Sequence, residues 1–352
     1  MRIRWVFVLA VGSLAVAAFV GATTGRGATA APSASSAAQS SNGTAATAAK
    51  KTVGIISFIE ADESTHRMSA AIKKVAESKG WSVQLVDTNV DLTKAVAAFN
   101  RFITDKVSGI FTVTTDNSAL KVSIKKAADA GIPVISVAGG QWVPGLTLDV
   151  GLPDLAATAL ASQYFFDTIR KRYGDQKVTV YFGAYPEGNP CRAREIGFDA
   201  AAKLYPNVAV KKYHVNVQNA LSATKDFMAT RLRTEGKSTV GFLGCWGVPA
   251  MGAALAAKQV GRTKDFIAVG ISGNVAEVDL LRKHDPNFVA TVMEGVAIAG
   301  YDAGQWMDKV FKKTAQIPAS GRIYAPVTLA TNQGKPPYDV QLPAGWNPNY
   351  WK

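Results

Sequence analysis

A chain of 352 residues, 48% hydrophobic and 18% charged, has room for two domains and is too apolar to be disordered as a whole. Its formal charge of +13 raises the question of a nucleic-acid partner. The lysine pairs Lys73-Lys74, Lys125-Lys126, Lys211-Lys212 and Lys312-Lys313 are, however, spread over mostly amphipathic segments without interleaved aromatics, a pattern of solvated faces that argues against one.

Arg2 and Arg4 precede an apolar run from Trp5 to Ala22, and small-residue cleavage sites follow at Val20-Gly21-Ala22 and Ala28-Thr29-Ala30. This is the pattern of an export signal, assigned here to residues 1–30. The run also approaches the thickness of a bilayer, so an uncleaved anchor is the rival reading. No Cys lies nearby to carry a lipid. Residues 31–50 are Ala, Ser and Thr with almost no large side chain, which predicts a flexible linker. An exported protein, periplasmic or on the exterior of the cell envelope, is expected.

Val53 to Ile59 reads as the first strand and His66 to Lys79 as the first helix, with Met68, Ala71, Ile72 and Val75 on one face. Ser82 to Asp87 is a second strand, and Asp91 caps a helix striped by Leu92, Val96, Phe99, Phe102 and Ile103. The stretch from Lys106 to Gly140 organises the rest. Val107 to Thr114 is a strand buried on both faces, Asp116, Asn117 and Ser118 supply N-cap chemistry, and Leu120, Ile124, Ala127 and Ala128 recur at helical spacing up to Gly131. Ile132 to Ala138 is another strand. The unit is a βαβ crossover, whose ligand side lies beyond the carboxyl ends of its strands. Leu146 to Gly151 leaves this first lobe.

From Ala156 the alternation starts again. Helices are expected at Ala156–Arg172, Arg192–Leu204, Ser222–Thr234, Pro249–Val260 and Val275–Lys283, with strands at Val178–Gly183, Val208–Val215, Thr239–Gly244 and Phe266–Ile271. Phe288 to Met293 is a strand, Ile298 to Phe311 a helix, and Ile323 to Thr331 a last strand. The Pro-, Trp- and Tyr-rich tail Pro336 to Lys352 is expected on the surface of the second lobe.

No complete catalytic motif is present. Gly236-Lys237-Ser238 has Arg231 where a phosphate loop needs its first Gly, and Gly270-Ile271-Ser272-Gly273 brings its second Gly one place too early for a nucleophile elbow. His66, His214 and His284 have no metal-ligand spacing. No cofactor is expected. The residues that interrupt the apolar pattern gather instead just after strands: Phe58, Glu60 and Asp62, then Trp142, then Asn189 and Arg192, then Trp246, Ser272 and Asn274. Arg192 offers planar hydrogen bonds to vicinal hydroxyls or a carboxylate, and Trp246 and Trp142 offer faces for a ring. Asp62 reads equally well as a solvated loop residue, and Trp142 as a loop-packing one.

The passage SGIFTVTTDNSALKVSIKKAADAGIPVISV resembles the type I periplasmic sugar-binding proteins, which share their fold with the sensor domains of lactose-repressor-like regulators. The resemblance implies an α/β fold of two doubly wound parallel-sheet lobes joined by a three-crossover hinge, with residues 51–151 plus 295–325 in one lobe and 152–294 plus 326–352 in the other. It implies the extracytoplasmic solute-binding protein of an ABC importer, a monomer that captures a sugar, polyol or related small molecule and presents it to a membrane permease, with no reaction catalysed. An exported enzyme or signalling receptor on the same scaffold is the alternative.

The family pattern assigns ligand-binding positions to Asp62, Arg192, Trp246, Ser272 and Glu294, but several carry unusual residues. Asp62 stands for Asn, Ser64 and Thr65 for paired aromatics, and Ala138-Gly139 for an Asp-Arg pair. Trp246 replaces an Asn, Ser272 an Asp and Glu294 a Gln. The scaffold is kept while much of the pyranose-binding set is changed. In the doubly wound order the strands before Cys191 and Cys245 are neighbours, so a disulfide and two free thiols are both compatible with the sequence.

Overall fold

The computed structural model describes residues 50–334. The leader and linker assignments before Lys50, and the tail from Pro336, lie outside the described residues. Two six-stranded sheets form the frame. The first holds β1 (Thr52–Ser57), β2 (Ser82–Asp87), β3 (Gly109–Val113), β4 (Val134–Val137), β5 (Leu148–Gly151) and β11 (Arg322–Tyr324), in the order β11-β5-β4-β3-β1-β2. All its pairings are parallel.

The second sheet runs β12-β10-β9-β8-β6-β7. Its members are β6 (Val178–Ala184), β7 (Val208–His214), β8 (Thr239–Gly244), β9 (Ile267–Ser272), β10 (Phe288–Met293) and β12 (Thr328–Thr331). They pair in parallel except for β12, which is antiparallel to β10.

Each sheet is covered on both faces, which is why β3, β4, β8, β9 and β10 are continuous apolar runs with every residue buried. On the first sheet, α1 (Glu63–Ser78) and α9 (Val296–Phe311) bury Met68, Ile72, Ala303 and Met307 on one side. The helices α2 (Leu92–Thr104) and α3 (Asn117–Asp129) bury Phe99, Phe102, Leu120 and Ile124 on the other. On the second, α4 (Asp154–Tyr173) and α5 (Asn189–Ala202) bury Phe165, Phe166 and Phe198. Opposite them, α6 (Ala220–Thr234), α7 (Gly247–Gln259) and α8 (Val275–Arg282) bury Met228, Ala253 and Val278.

The chain passes between the sheets three times, from β5 to α4, from β10 to α9 and from β11 to β12. The stretch expected as one strand, Ile323 to Thr331, is two short strands in different sheets. Pro326 lies between them, where its missing N–H could not serve a ladder. A second difference bears directly on the site. The helix expected from Arg192 begins at Asn189 with Pro190 in its first turn, so Asn189 belongs to α5 rather than to the loop before it and Arg192 is its fourth residue rather than its first. Among the described residues no helix is long and apolar enough to cross a membrane.

Candidate binding cleft between the lobes

The carboxyl ends of both sheets face a shared cleft, the position that doubly wound sheets reserve for ligands. The cavity there measures about 650 Å³ counted to its open mouth. From the first sheet it is lined by Phe58, Ile59, Asp62, Ser64, Thr65, Met68, Thr114 and Ala138, and from the second by Tyr185, Pro190, Cys191, Arg194, Val217, Trp246 and Ser272, with Leu152, Glu294 and Val296 at the crossovers. Three of these residues leave their strands with φ in the left-handed region: Thr114 at 57°, Ala138 at 55° and Ser272 at 138°. Non-glycine residues hold such angles at a cost of about 1–3 kcal/mol each, and three of them meet around one cavity, Thr114 and Ala138 on the first-sheet wall and Ser272 on the second, as strained residues do at binding sites.

Arg194 is the electrostatic centre of the cleft. It is 3% exposed, and all three of its nitrogens are engaged. Nε donates to Asp154 Oδ1 at 2.9 Å, Nη1 to the Cys245 carbonyl at 2.6 Å, and Nη2 to both Glu294 oxygens at 2.9 and 2.8 Å. Burial pulls its pKa down, but Glu294 and Asp154 outweigh that and hold the guanidinium charged. Glu294 is fully buried, and burial holds its carboxyl above the ordinary glutamate range against the pull of Arg194, with the charge of Asp154 adding to the rise. Asp62 lies on the opposite wall. Its Oδ1 accepts from Thr65 N at 3.0 Å and Thr65 Oγ1 at 3.2 Å, capping α1, while burial raises its carboxyl above its usual range.

Of the residues singled out in the sequence, Phe58, Asp62, Trp246, Ser272 and Glu294 line this cavity. The others lie elsewhere. Glu60 Oε2 is hydrogen-bonded to His66 Nδ1 at 2.8 Å, outside the lining. Trp142 is 46% exposed and packs beside Gly321, which fits the loop-packing reading. Arg192, which the sequence favours, is not in the cavity lining and reaches across the gap between lobes. Nη2 pairs with Asp116 and Nη1 donates to the carbonyls of Pro186 and Glu187 at 2.9 and 3.1 Å. The physical reason is helical phase, since two residues along a helix turn the side chain by roughly 200°.

Asn189 and Asn274 also bridge the lobes. Asn189 Nδ2 donates to the Gly139 carbonyl at 3.4 Å, and Asn274 Oδ1 accepts from Ser64 Oγ at 2.8 Å. Glu63 Oε1 accepts from Val275 N at 2.7 Å, and Arg67 Nη1 donates to the Gly273 carbonyl at 3.1 Å. The cleft is therefore flanked on two sides by contacts that hold the lobes together. Cys191 and Cys245 are joined by a disulfide with Cα atoms 5.2 Å apart, fixing the first turn of α5 to the end of β8.

The lining residues that the sequence reading did not assign as binding positions include Arg194, Thr114 and Tyr185. A signal for Arg194 was present. Cys191, Arg194 and Phe198 fall at helical spacing on the buried face of α5, and an arginine on an apolar stripe needs buried partners. The lining has no paired nucleophile and base, and among the described residues no group of three or more His, Cys, Asp or Glu could hold a metal.

Two crossed-over α/β lobes with a ligand-sized cleft at their carboxyl edges define a two-lobed binding protein. The chain belongs to the periplasmic binding protein domain family, whose pattern matches residues 51–315. It is 36% identical to the fructose import binding protein of Bifidobacterium longum over 89 residues, a match that spans 25% of this chain and only 27% of that protein. It is 23% identical to the ribose import binding protein of Bacillus subtilis, over 76% of this chain and 82% of that protein. Among solved structures, an ABC sugar transporter subunit from Rhodobacter sphaeroides superposes with a TM-score of 0.72 at 19% identity, covering 81% of this chain and 99% of that one.

Proposed function

We propose that this protein is the exported solute-binding component of an ABC importer and that it captures a sugar or sugar-like compound between its lobes. The observation that carries the reading is the cleft, in which Asp62, Thr65 and Thr114 from one sheet face Arg194, Glu294, Ser272 and Trp246 across the gap. A solute touching both walls stabilises the closed arrangement over the open one by its differential contacts, and the three crossovers are the hinge. The closed form is what a membrane permease reads. No residue of the cleft is arranged for bond cleavage, so the ligand leaves unchanged.

Hydroxyl acceptors and aromatic faces together suit a small polyhydroxylated ring or chain. The import binding relatives, named for fructose and ribose, support that class. A thermal-shift screen of sugars, polyols and nucleosides, followed by calorimetry of each hit and chromatography of the recovered solute, tests the proposal. Saturable binding with the solute recovered intact is expected. Turnover of the hit, or no stabilisation by any compound, would overturn it.

A further inference from the structure

The charges of the cleft are unevenly supplied. Of its lining residues only Asp62, Glu294 and Arg194 belong to the strongly acidic or basic types, and Arg194 spends its nitrogens on Asp154, the Cys245 carbonyl and Glu294. An anionic solute would meet the carboxyl groups of Asp62 and Glu294 and a guanidinium already paired with Asp154 and that same Glu294. Whether Asp62 and Glu294 keep or lose their protons, no uncompensated positive side chain lines the cavity.

Helix N-termini are the remaining source of positive potential at such a cleft, and the chain's own acids cover those of α1, α3 and α8. Asp62 accepts from the first turn of α1 and Asp116 from that of α3. Val275 N of α8 donates to Glu63, and the Asn274 N–H before it donates to Glu277. The Glu277 carboxyl also packs against Gly247 at the start of α7, so closely that a Cβ there would overlap it. The first turn of α5 contains Pro190, which has no N–H to offer.

The rest of the wall is apolar to a degree that a fully hydroxylated ring would not use. Met68, Leu152, Val217 and Val296 project into the cavity alongside Phe58 and Trp246. A hydroxyl set against such a surface loses water without gaining a partner, whereas a methyl, methylene or thioether group gains.

Resting on the receptor reading above, we infer that the cleft takes an uncharged polyhydroxylated compound bearing an apolar substituent, such as a deoxy or alkylated sugar or polyol, and rejects anionic ones. Arg194 is then a positioning residue that holds Glu294 in place. Glu294 and Asp62 repel anions and accept hydroxyl hydrogens.

Matched series isolate the effect because they vary one carbon substituent. D-fucose, D-galactose and D-galacturonate carry a methyl, a hydroxymethyl and a carboxylate at the same position, and the methyl β-D-ribofuranosides bearing 5-deoxy, 5-hydroxyl and 5-phosphate groups vary one substituent on a fixed furanose ring. Calorimetry on the secreted protein should find, in a series that binds, the deoxy compound at least as tight as its parent and the anion more than about tenfold weaker. Glu294→Gln should shrink the penalty on the anion relative to its parent, both measured on that variant, whatever affinity the parent itself loses. An anion within tenfold of its parent, a deoxy compound weaker than its parent, or a penalty unmoved by Glu294→Gln would overturn the inference and leave the receptor reading standing. Absence of binding by these series and by the wider sugar and polyol panel would overturn both.

Discussion

Arg192 and Arg194 are two residues apart, and replacing each by Met should produce very different proteins. The Arg192 side chain is 41% exposed, and its ion pair with Asp116 sits at the mouth of the gap between lobes. Exposed pairs of this kind contribute about 0–1 kcal/mol, so Arg192→Met should leave unfolding within about 1 kcal/mol of the parent. Because the pair bridges the lobes, the same loss appears as a smaller closed population, and affinity should fall by no more than about fivefold. Arg194 is different. Its removal leaves Glu294, which is fully buried, and Asp154 without their cation.

Breaking a buried pair from one side costs about 3–5 kcal/mol, because the remaining charge stays out of water. Urea titration of both variants reads the contrast directly. Glu294 can escape the penalty by taking a proton, and a carboxyl whose folded pKa is raised contributes stability at low pH that is lost as pH rises. The deficit of Arg194→Met should therefore be smaller at pH 5 than at pH 8. An Arg192→Met deficit equal to or larger than that of Arg194→Met would refute the assignment of Arg194 as the buried hub, and a deficit independent of pH would refute its electrostatic origin.

Three further outcomes follow from single contacts. Glu277 is fully buried, and burial pushes its carboxyl up to about 8, so its contribution is fully present below the unfolded value and is lost as pH rises through about 8. Glu277→Gln does not titrate, and its stability relative to the parent, from denaturant curves at pH 5, 7 and 9, should rise with pH by several kcal/mol, at most about 5; a constant difference would contradict this. The disulfide closes a loop of 54 residues, so Cys191→Ala with Cys245→Ala should cost about 4 kcal/mol in the chain-entropy account, and equal stability of the oxidised parent and the double variant would count against it. Gly140 has φ of 89° and meets the Asn189 amide of the other lobe, so Gly140→Ala should hinder closure and weaken ligand binding by more than the roughly 1 kcal/mol of backbone strain it adds; unchanged affinity would show that this approach is dispensable.

What the sequence makes legible depends on whether the determinant is local. The βαβ unit around Lys106 to Gly140 was readable because burial on both faces leaves a one-dimensional trace, an apolar run with a capped helix and a glycine stop, in β3, α3 and β4. Phe58, Asp62, Trp246, Ser272 and Glu294 were readable for the related reason that polar or aromatic residues at strand ends face the cleft in this topology. Helical phase is harder, because it depends on where a helix begins. Placing the start of α5 at Arg192 rather than Asn189 put that residue at the helix N-terminus and assigned the cation to the cleft, while the buried stripe Cys191, Arg194 and Phe198 was already written in the chain.

The contacts between lobes left the weakest trace, since they join residues from 50 to more than 200 positions apart, several of them through single hydrogen bonds. Ser64 with Asn274, and Glu63 with Val275, are examples. Neither side chain looks out of place in its own segment, because Glu63 suits a helix start and Asn274 an N-cap. Each role is satisfied locally and reused across the gap. For that reason polar residues at the helix starts on facing lobes serve here as caps and as latches at once, and a substitution there should change closure and local helix stability together.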